Sequence, residues 1–179
     1  MEQDSQMFIV VNIMNNDLNV GANCVRPMPT LPIRKINRLQ GYDYSQNGAY
    51  FITVCAKDRK CLFGKINGVH PVLTNIGHII ESEIAVMAET YDAVRIGCHV
   101  IMPNHVHMII FIENGRTQFA PTISRIIKQW KGAITKIVGF SPWQKSFHDR
   151  IIRNDDEYCR IVEYIENNPE MWHNDDLRP

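Results

Sequence analysis

Met102-Pro103-Asn104-His105-Val106-His107-Met108-Ile109 places two imidazoles on alternate positions of an apolar run. Near the C-terminus, Tyr164-Ile165-Glu166-Asn167-Asn168-Pro169 places a phenol and a carboxamide at i and i+4, at the end of an expected helix. Side chains two apart in a strand project from one face, so His105 and His107 can converge on one ion. Side chains four apart on a helix stack one above the other, so Tyr164 and Asn168 share a face. Two nitrogen ligands, one oxygen ligand and one hydroxyl nucleophile are the parts that metal-assisted attack on a phosphodiester requires.

Each part also has a blander explanation. Most H-x-H pairs are hydrogen-bonded core histidines. Here the pair opens a run ending Ile109-Ile110-Phe111-Ile112, so the strand is central and its buried imidazoles need partners. Tyr158 shares the apolar stripe of Ile161 and Ile165 and is the packing tyrosine, whereas Tyr164 lies at the stripe's edge. The residue before a proline is pushed from helical angles, which puts Asn168 at the helix end or just beyond it. A phenol of ordinary pKa about 10 needs help to attack. A metal can polarise the phosphate, and basic side chains can offset developing charge. The resulting phosphotyrosine ester conserves bond energy, which permits strand joining without ATP.

The elements that must position these residues follow from periodicity. Ala49–Cys55 is β-branched and aromatic and reads as a strand. Lys57–Lys60 is a turn, and Cys61–Ile66 a short returning strand. Ile76, Ile79, Ile80, Ile84 and Met87 predict a helix over 74–91, capped by Thr74 or Asn75. Ala93–Met102 and His105–Ile112 are strands about a Pro103-Asn104 turn. A second helix runs over 121–138, with Ile123, Ile126, Ile127, Trp130, Ile134 and Ile137 as its stripe and Gly139 and Pro142 at its end. Asp149–Arg153 is a short strand, and Asn154-Asp155-Asp156-Glu157 opens a third helix with acids where the dipole favours them. The pattern is α+β: a sandwich of helices over an antiparallel sheet. Residues 1–33, rich in Asn and punctuated by Pro27, Pro29 and Pro32, are expected to be a flexible arm before a folded domain that begins near 38–44.

Composition narrows the class. With 179 residues, 45% hydrophobic and 21% charged, the chain suits one soluble globular domain. No apolar stretch approaches the roughly 20 residues that span a bilayer, and the N-terminus lacks a basic leader region, so a cytoplasmic protein without a membrane partner is expected. Five cysteines without C-x-x-C spacing point to reduced thiols rather than a disulfide framework. Net charge is zero, but it is unevenly spread. Residues 124–153 hold seven Lys/Arg against Asp149, residues 34–65 seven against two acids, and the tail from Asn154 eight acids against two bases. Such segregation suits a phosphate-binding face on a neutral protein.

Three motifs in order, Met102–Ile109, Phe147–Asn154 and Tyr164–Pro169, resemble the single-tyrosine HUH transposases of the IS200-like superfamily. Within them the chain is similar to the branch associated with repetitive extragenic palindromes, the REP-associated tyrosine transposases. The likeness runs from about Arg34 through Trp172 and includes Gly41–Phe51. It implies a ferredoxin-like core with the histidine pair on a central strand, and one catalytic domain over residues 34–179. It implies Mg²⁺ or Mn²⁺ held by His105, His107 and Asn168, and Tyr164 as nucleophile. The implied reaction is cleavage and rejoining of single-stranded, hairpin-bearing DNA through a 5′-phosphotyrosine intermediate, by a monomer or homodimer.

Candidate DNA contacts are Arg125 and Lys128 on the polar face of the second helix, Trp143 and Lys145 in a Ser-Pro-Trp loop, His148 and Arg153. Trp130, within an isoleucine stripe, is expected in the core. Two rivals stand beside the transesterase: a catalytically silent DNA-binding regulator of palindromes, and a metallonuclease that uses water in place of Tyr164.

Overall fold

The strand expected at 49–55 forms as Gly48–Cys55 (β1), whose residues from Ile52 onward are all buried. The computed structural model describes residues 46–113 and 121–179. The expected arm and the expected domain start near 38–44 lie outside them. A 3-10 turn at Lys57–Arg59 follows, with Asp58 and Arg59 both at positive φ. Next come Gly64–Asn67 (β2), His70–Leu73 (β3), Asn75–Thr90 (α1), Val94–Ile101 (β4), His105–Ile112 (β5), Ile123–Val138 (α2), His148–Ile152 (β6) and Asp155–Asn167 (α3).

The helices start where side-chain oxygens meet free backbone N–H groups. Thr74 accepts from Gly77, Thr122 from Arg125 and Asn154 from Glu157. Gly139 ends α2 in the left-handed conformation at φ 83° and returns its N–H to Thr135.

One element departs from expectation. The segment at 61–66 does not return along β1. Phe63 is fully buried against Trp143, and the strand begins one residue later, folding back on β3 as a separate hairpin. Gly68, at φ 63°, takes the first of the two loop positions between Asn67 and His70, as a II′-type turn requires.

The remaining strands form one antiparallel sheet ordered β4-β5-β1-β6. With its two crossover helices this is a β-α-β-β-α-β, ferredoxin-like sandwich, and both central strands are buried. Alternation on β5 divides the core. Val106, Met108, Ile110 and Ile112 pack with Ile80, Ile84 and Met87 of α1 and Ile126, Ile127 and Trp130 of α2. The opposite face sends Ile109 and Phe111 against Ile161, Ile165 and Tyr158 of α3. His105 and His107 belong to that second face, in register with Ile109. No described helix is long and apolar enough to cross a membrane.

Candidate active site

Both imidazoles are dry, with His105 fully buried and His107 2% exposed, and their ring centroids lie 4.5 Å apart. Each ring is held through Nδ1. Thr53 stands opposite His107 in the β1–β5 register, and its Oγ1 lies 2.8 Å from His107 Nδ1. His105 Nδ1 lies 2.8 Å from Asn104 Oδ1. The far end of Asn104 fixes its amide: Nδ2 donates to the carbonyls of Arg59 at 3.0 Å and Leu177 at 2.7 Å. Carbonyls only accept, so Oδ1 must accept from His105, and Nδ1 carries the proton. His105 Nε2 therefore presents a lone pair.

Burial drives the His105 pKa down to about 4, against opposing pulls from Asp175 and Asn168. Burial and then the His105 charge push His107 lower still. Neutral imidazole is the form that ligates metals.

α3 brings the other two residues. Tyr164, 47% exposed, sets its hydroxyl 3.3 Å from His107 Nε2, and its ring edge meets Phe51 at 6.0 Å. Partial burial, then Asp175, raises its pKa, while the Asn168 amide pulls it down. The phenol is thus protonated at neutral pH. Asn168 caps α3 at φ −57° and ψ −40°, so Pro169 does not deflect it from helical angles. That keeps its side chain one turn above Tyr164 on the same face. It is 3% exposed, and its Oδ1 has no hydrogen-bond partner.

The four residues thus converge from β5 and α3 of one chain. His107, Tyr164 and Asn168 border a cavity of about 510 Å³ that Phe51, Thr53 and His148 also line, and His105 lies buried behind it. His105 Nε2 and Asn168 Oδ1 are buried acceptors without donors, an arrangement that costs stability unless a cation or proton satisfies it. Imidazole nitrogen with carboxamide oxygen is a reasonable donor set for Mn²⁺ or Mg²⁺. Among the described residues, no three His, Cys, Asp or Glu form a metal-holding group, so any such site here needs the carboxamide.

The DNA-contact candidates divide. His148 opposes Thr53 on β6 and lines the cavity. Arg153 is exposed at the start of α3, where its N–H donates to Glu157 at 3.0 Å. Lys145 is exposed in the loop before β6. Arg125 and Lys128 are exposed on α2, which covers the opposite face of the sheet from Tyr164.

Trp143 is corrected. It is 5% exposed, 5.1 Å from both the Trp130 and Phe63 rings, and bridged to Ala56, so it is a core residue and presents no face to an unpaired base. The Ser-Pro-Trp sequence has loop character, but the Ala56 bridge folds it inward.

Three residues near the site escaped the sequence reading. Arg150 and Arg160 line a second hollow of about 320 Å³ on the other side of Tyr164. Their spacing carried a signal, since Arg150 is two residues from His148 on a strand and Arg160 four before Tyr164 on a helix. Asp175, in the acidic tail, brings Oδ2 to 3.6 Å from His105 Nε2.

No family model matches the chain. An uncharacterized protein of Haemophilus influenzae is 33% identical over 169 residues, covering 80% of this chain and 92% of that one. A second protein of that organism, named "Putative REP-associated tyrosine transposase", is 24% identical over 138 residues, 71% of this chain and 73% of the relative. Among solved structures, a REP-associated tyrosine transposase bound to a REP hairpin superposes with a TM-score of 0.57 at 25% identity. The match covers 73% of this chain and 72% of that one.

Proposed function

We propose, from the premise that this chain belongs to the REP-associated tyrosine transposases of the IS200-like superfamily, that it is a metal-dependent DNA transesterase. It cleaves and rejoins single-stranded DNA beside a hairpin through a 5′-phosphotyrosine intermediate. The observation that carries this reading is the Tyr164 hydroxyl, 3.3 Å from Nε2 of His107, one of two adjacent buried imidazoles, on a residue that lines the cavity. A solved relative holding a REP hairpin supports hairpin DNA as the partner.

His105, His107 and Asn168 are the residues that would hold Mg²⁺ or Mn²⁺, which supplies positive charge to polarise a phosphoryl oxygen. The rest belongs to the chain. Thr53 and Asn104 fix the two imidazoles. Phe51 holds the Tyr164 ring edge-on, restricting where the hydroxyl points. Tyr164 Oη attacks phosphorus, forming the O–P bond and breaking the bond to the 3′-oxygen. The phenolic proton leaves Tyr164, and the 3′-oxygen departs as a hydroxyl after taking up a proton. Attack by a 3′-hydroxyl reverses the step and rejoins the strands. Exposed His148, Arg150 and Arg160 flank the cavity where the backbone phosphates would pass. We assign the catalytic domain to residues 34–179, behind an arm of residues 1–33, acting in the cytoplasm as a monomer or homodimer.

End-labelled single strands from palindromic repeats, incubated with wild type and Tyr164→Phe in Mg²⁺, Mn²⁺ or chelator, test the reading. A denaturation-resistant adduct that requires both metal and Tyr164 is expected. Binding without any adduct would leave a silent DNA-binding regulator. Metal-dependent nicking that survives Tyr164→Phe would mean a water nucleophile.

A further inference from the structure

The hollow on the far side of Tyr164 is built from two strands and a helix. In the β1–β6 register Thr53 pairs with His148 and Phe51 with Arg150, so these four side chains share the sheet face that carries His107. α3 adds Glu157, Arg160, Ile161 and Tyr164 to the lining. Phe51 and Tyr164 line both this hollow of about 320 Å³ and the cavity beside His107, and so form the boundary between them.

The two spaces differ in charge. Asp175 and Asp176 line the cavity and no described Lys or Arg does, whereas the hollow holds two guanidiniums against one carboxylate. That carboxylate is already committed. Glu157 Oε2 accepts the Arg153 N–H at 3.0 Å, and Oε1 meets Arg150 Nη2 at 2.6 Å. Glu157 therefore fixes the Arg150 guanidinium and offsets its charge. Arg160 is held by a neutral group instead, its Nε donating to the Asp156 carbonyl at 3.1 Å. No described carboxylate pairs with it, which leaves its Nη donors and a full positive charge at the hollow. A guanidinium fork of this kind matches a phosphate. The apolar lining of Phe51, Ile161 and the Tyr164 ring matches the face of a base. The volume is near the lower end for small-ligand sites, which is room for one nucleotide. Arg160 precedes Tyr164 by one helical turn, about 6 Å along the axis, so each can meet the phosphate of a neighbouring nucleotide.

We infer that this hollow seats one unpaired nucleotide next to the phosphate presented to Tyr164, with its base against Phe51 and Ile161 and its own phosphate on Arg160. Arg150, positioned by Glu157, is the second cation. The inference rests on the DNA-transesterase reading above and adds a substrate requirement to it. A base stacked and paired in a duplex has no free face to offer the hollow, so the nucleotide that adjoins the cleaved bond must be single-stranded.

The test is binding of single strands from palindromic repeats to the full chain in chelator, for wild type and Arg160→Gln. Each backbone phosphate is replaced in turn by an uncharged methylphosphonate, and each nucleotide in turn by an abasic one. Arg160 is exposed, so its substitution leaves the fold intact. At one phosphate, a single nucleotide from the one that the adduct maps as cleaved, neutralisation should weaken wild type and leave Arg160→Gln unchanged. The abasic change at that nucleotide should weaken wild-type binding roughly 5- to 150-fold, the equivalent of one base–aromatic stack. Annealing a complementary strand over it should abolish the adduct formed in Mn²⁺. Additive losses at every phosphate, coupling only at phosphates further from the cleaved bond, an abasic change without effect, or full adduct yield with the nucleotide paired would each overturn the inference and leave the transesterase standing. Coupling at one phosphate without an adduct under any condition would keep the hollow as a nucleotide site and overturn the transesterase. No binding of single strands by wild type would overturn both.

Discussion

Thr53 and His107 stand opposite each other in the β1–β5 register, and their side chains meet 2.8 Å apart beside Tyr164. Backbone pairing delivers this contact, so the orientation of the ring that faces Tyr164 is set by the sheet itself. Thr53→Val keeps the β-branched shape and removes the oxygen. It should leave His107 Nδ1 unsatisfied, at about 1–3 kcal/mol of stability. Mn²⁺ affinity should fall roughly ten- to hundredfold. Thermal unfolding and calorimetry would measure both, and Thr53→Ser should restore both.

Asn104 makes three hydrogen bonds through one buried amide. Asn104→Ala should cost about 2–5 kcal/mol, more than the one or two of a single neutral hydrogen bond, because two carbonyls and an imidazole N–H lose their partner. It should also free the C-terminal segment, seen as faster amide exchange at Leu177. Loss of stability with the Leu177 amide still protected would mean that the tail is held by other contacts.

Trp143 gives opposite outcomes for its two roles. As a core residue between Trp130 and Phe63, Trp143→Ala should cost about 3–5 kcal/mol in denaturant titration. Trp143→Phe should then bind single-stranded DNA like wild type. A base-stacking residue would show the reverse, a binding loss with little change in stability.

Glu157 links stability to acid. The Arg153 N–H, followed by the Arg150 guanidinium at 2.6 Å, holds its carboxyl below the ordinary value of 4.5. A depressed folded-state pKa gives stability above the unfolded value, lost as pH falls through the folded one. The melting-temperature gap between wild type and Glu157→Gln should therefore be constant above about pH 5 and shrink as pH drops below 4.5. A gap that widens toward acid would contradict the assignment.

Arg160 faces the hollow beside Tyr164. Arg160→Gln should weaken single-stranded DNA binding across sequences and lower the salt slope by about 0.7, the value of one single-strand phosphate contact. An unchanged slope would exclude Arg160 from the DNA path.

Much of this arrangement was legible because it rests on short-range rules. The Thr74-Asn75 pair announced one helix by capping chemistry, with Thr74 proving to be the cap, the acids after Asn154 announced another, and the His105/His107 alternation announced a shared face. The i, i+4 relation of Tyr164 and Asn168 survived because Pro169 left the backbone of Asn168 helical. β3 was hidden by its length of four residues, its Pro71 and its exposure, which leave almost no apolar period to read. Trp143 and Asp175 were hidden for a different reason: each occupies a segment of loop composition whose burial depends on distant partners, Ala56 for one and His105 for the other. Arg125 and Lys128 were read correctly as a basic helix face, but periodicity along a helix does not say which side of a sheet it covers.

The helix carrying Tyr164 packs against the sheet of its own chain. Mixing therefore has a definite signature: a blend of His105→Ala and Tyr164→Phe proteins should form no adduct at any ratio, since neither molecule lends the other its missing part. Diluting wild type with either variant should reduce adduct yield in simple proportion to the wild-type fraction. In a cell carrying both an intact and a damaged copy of the gene, the damaged product would compete for DNA without poisoning the catalysis of its neighbour.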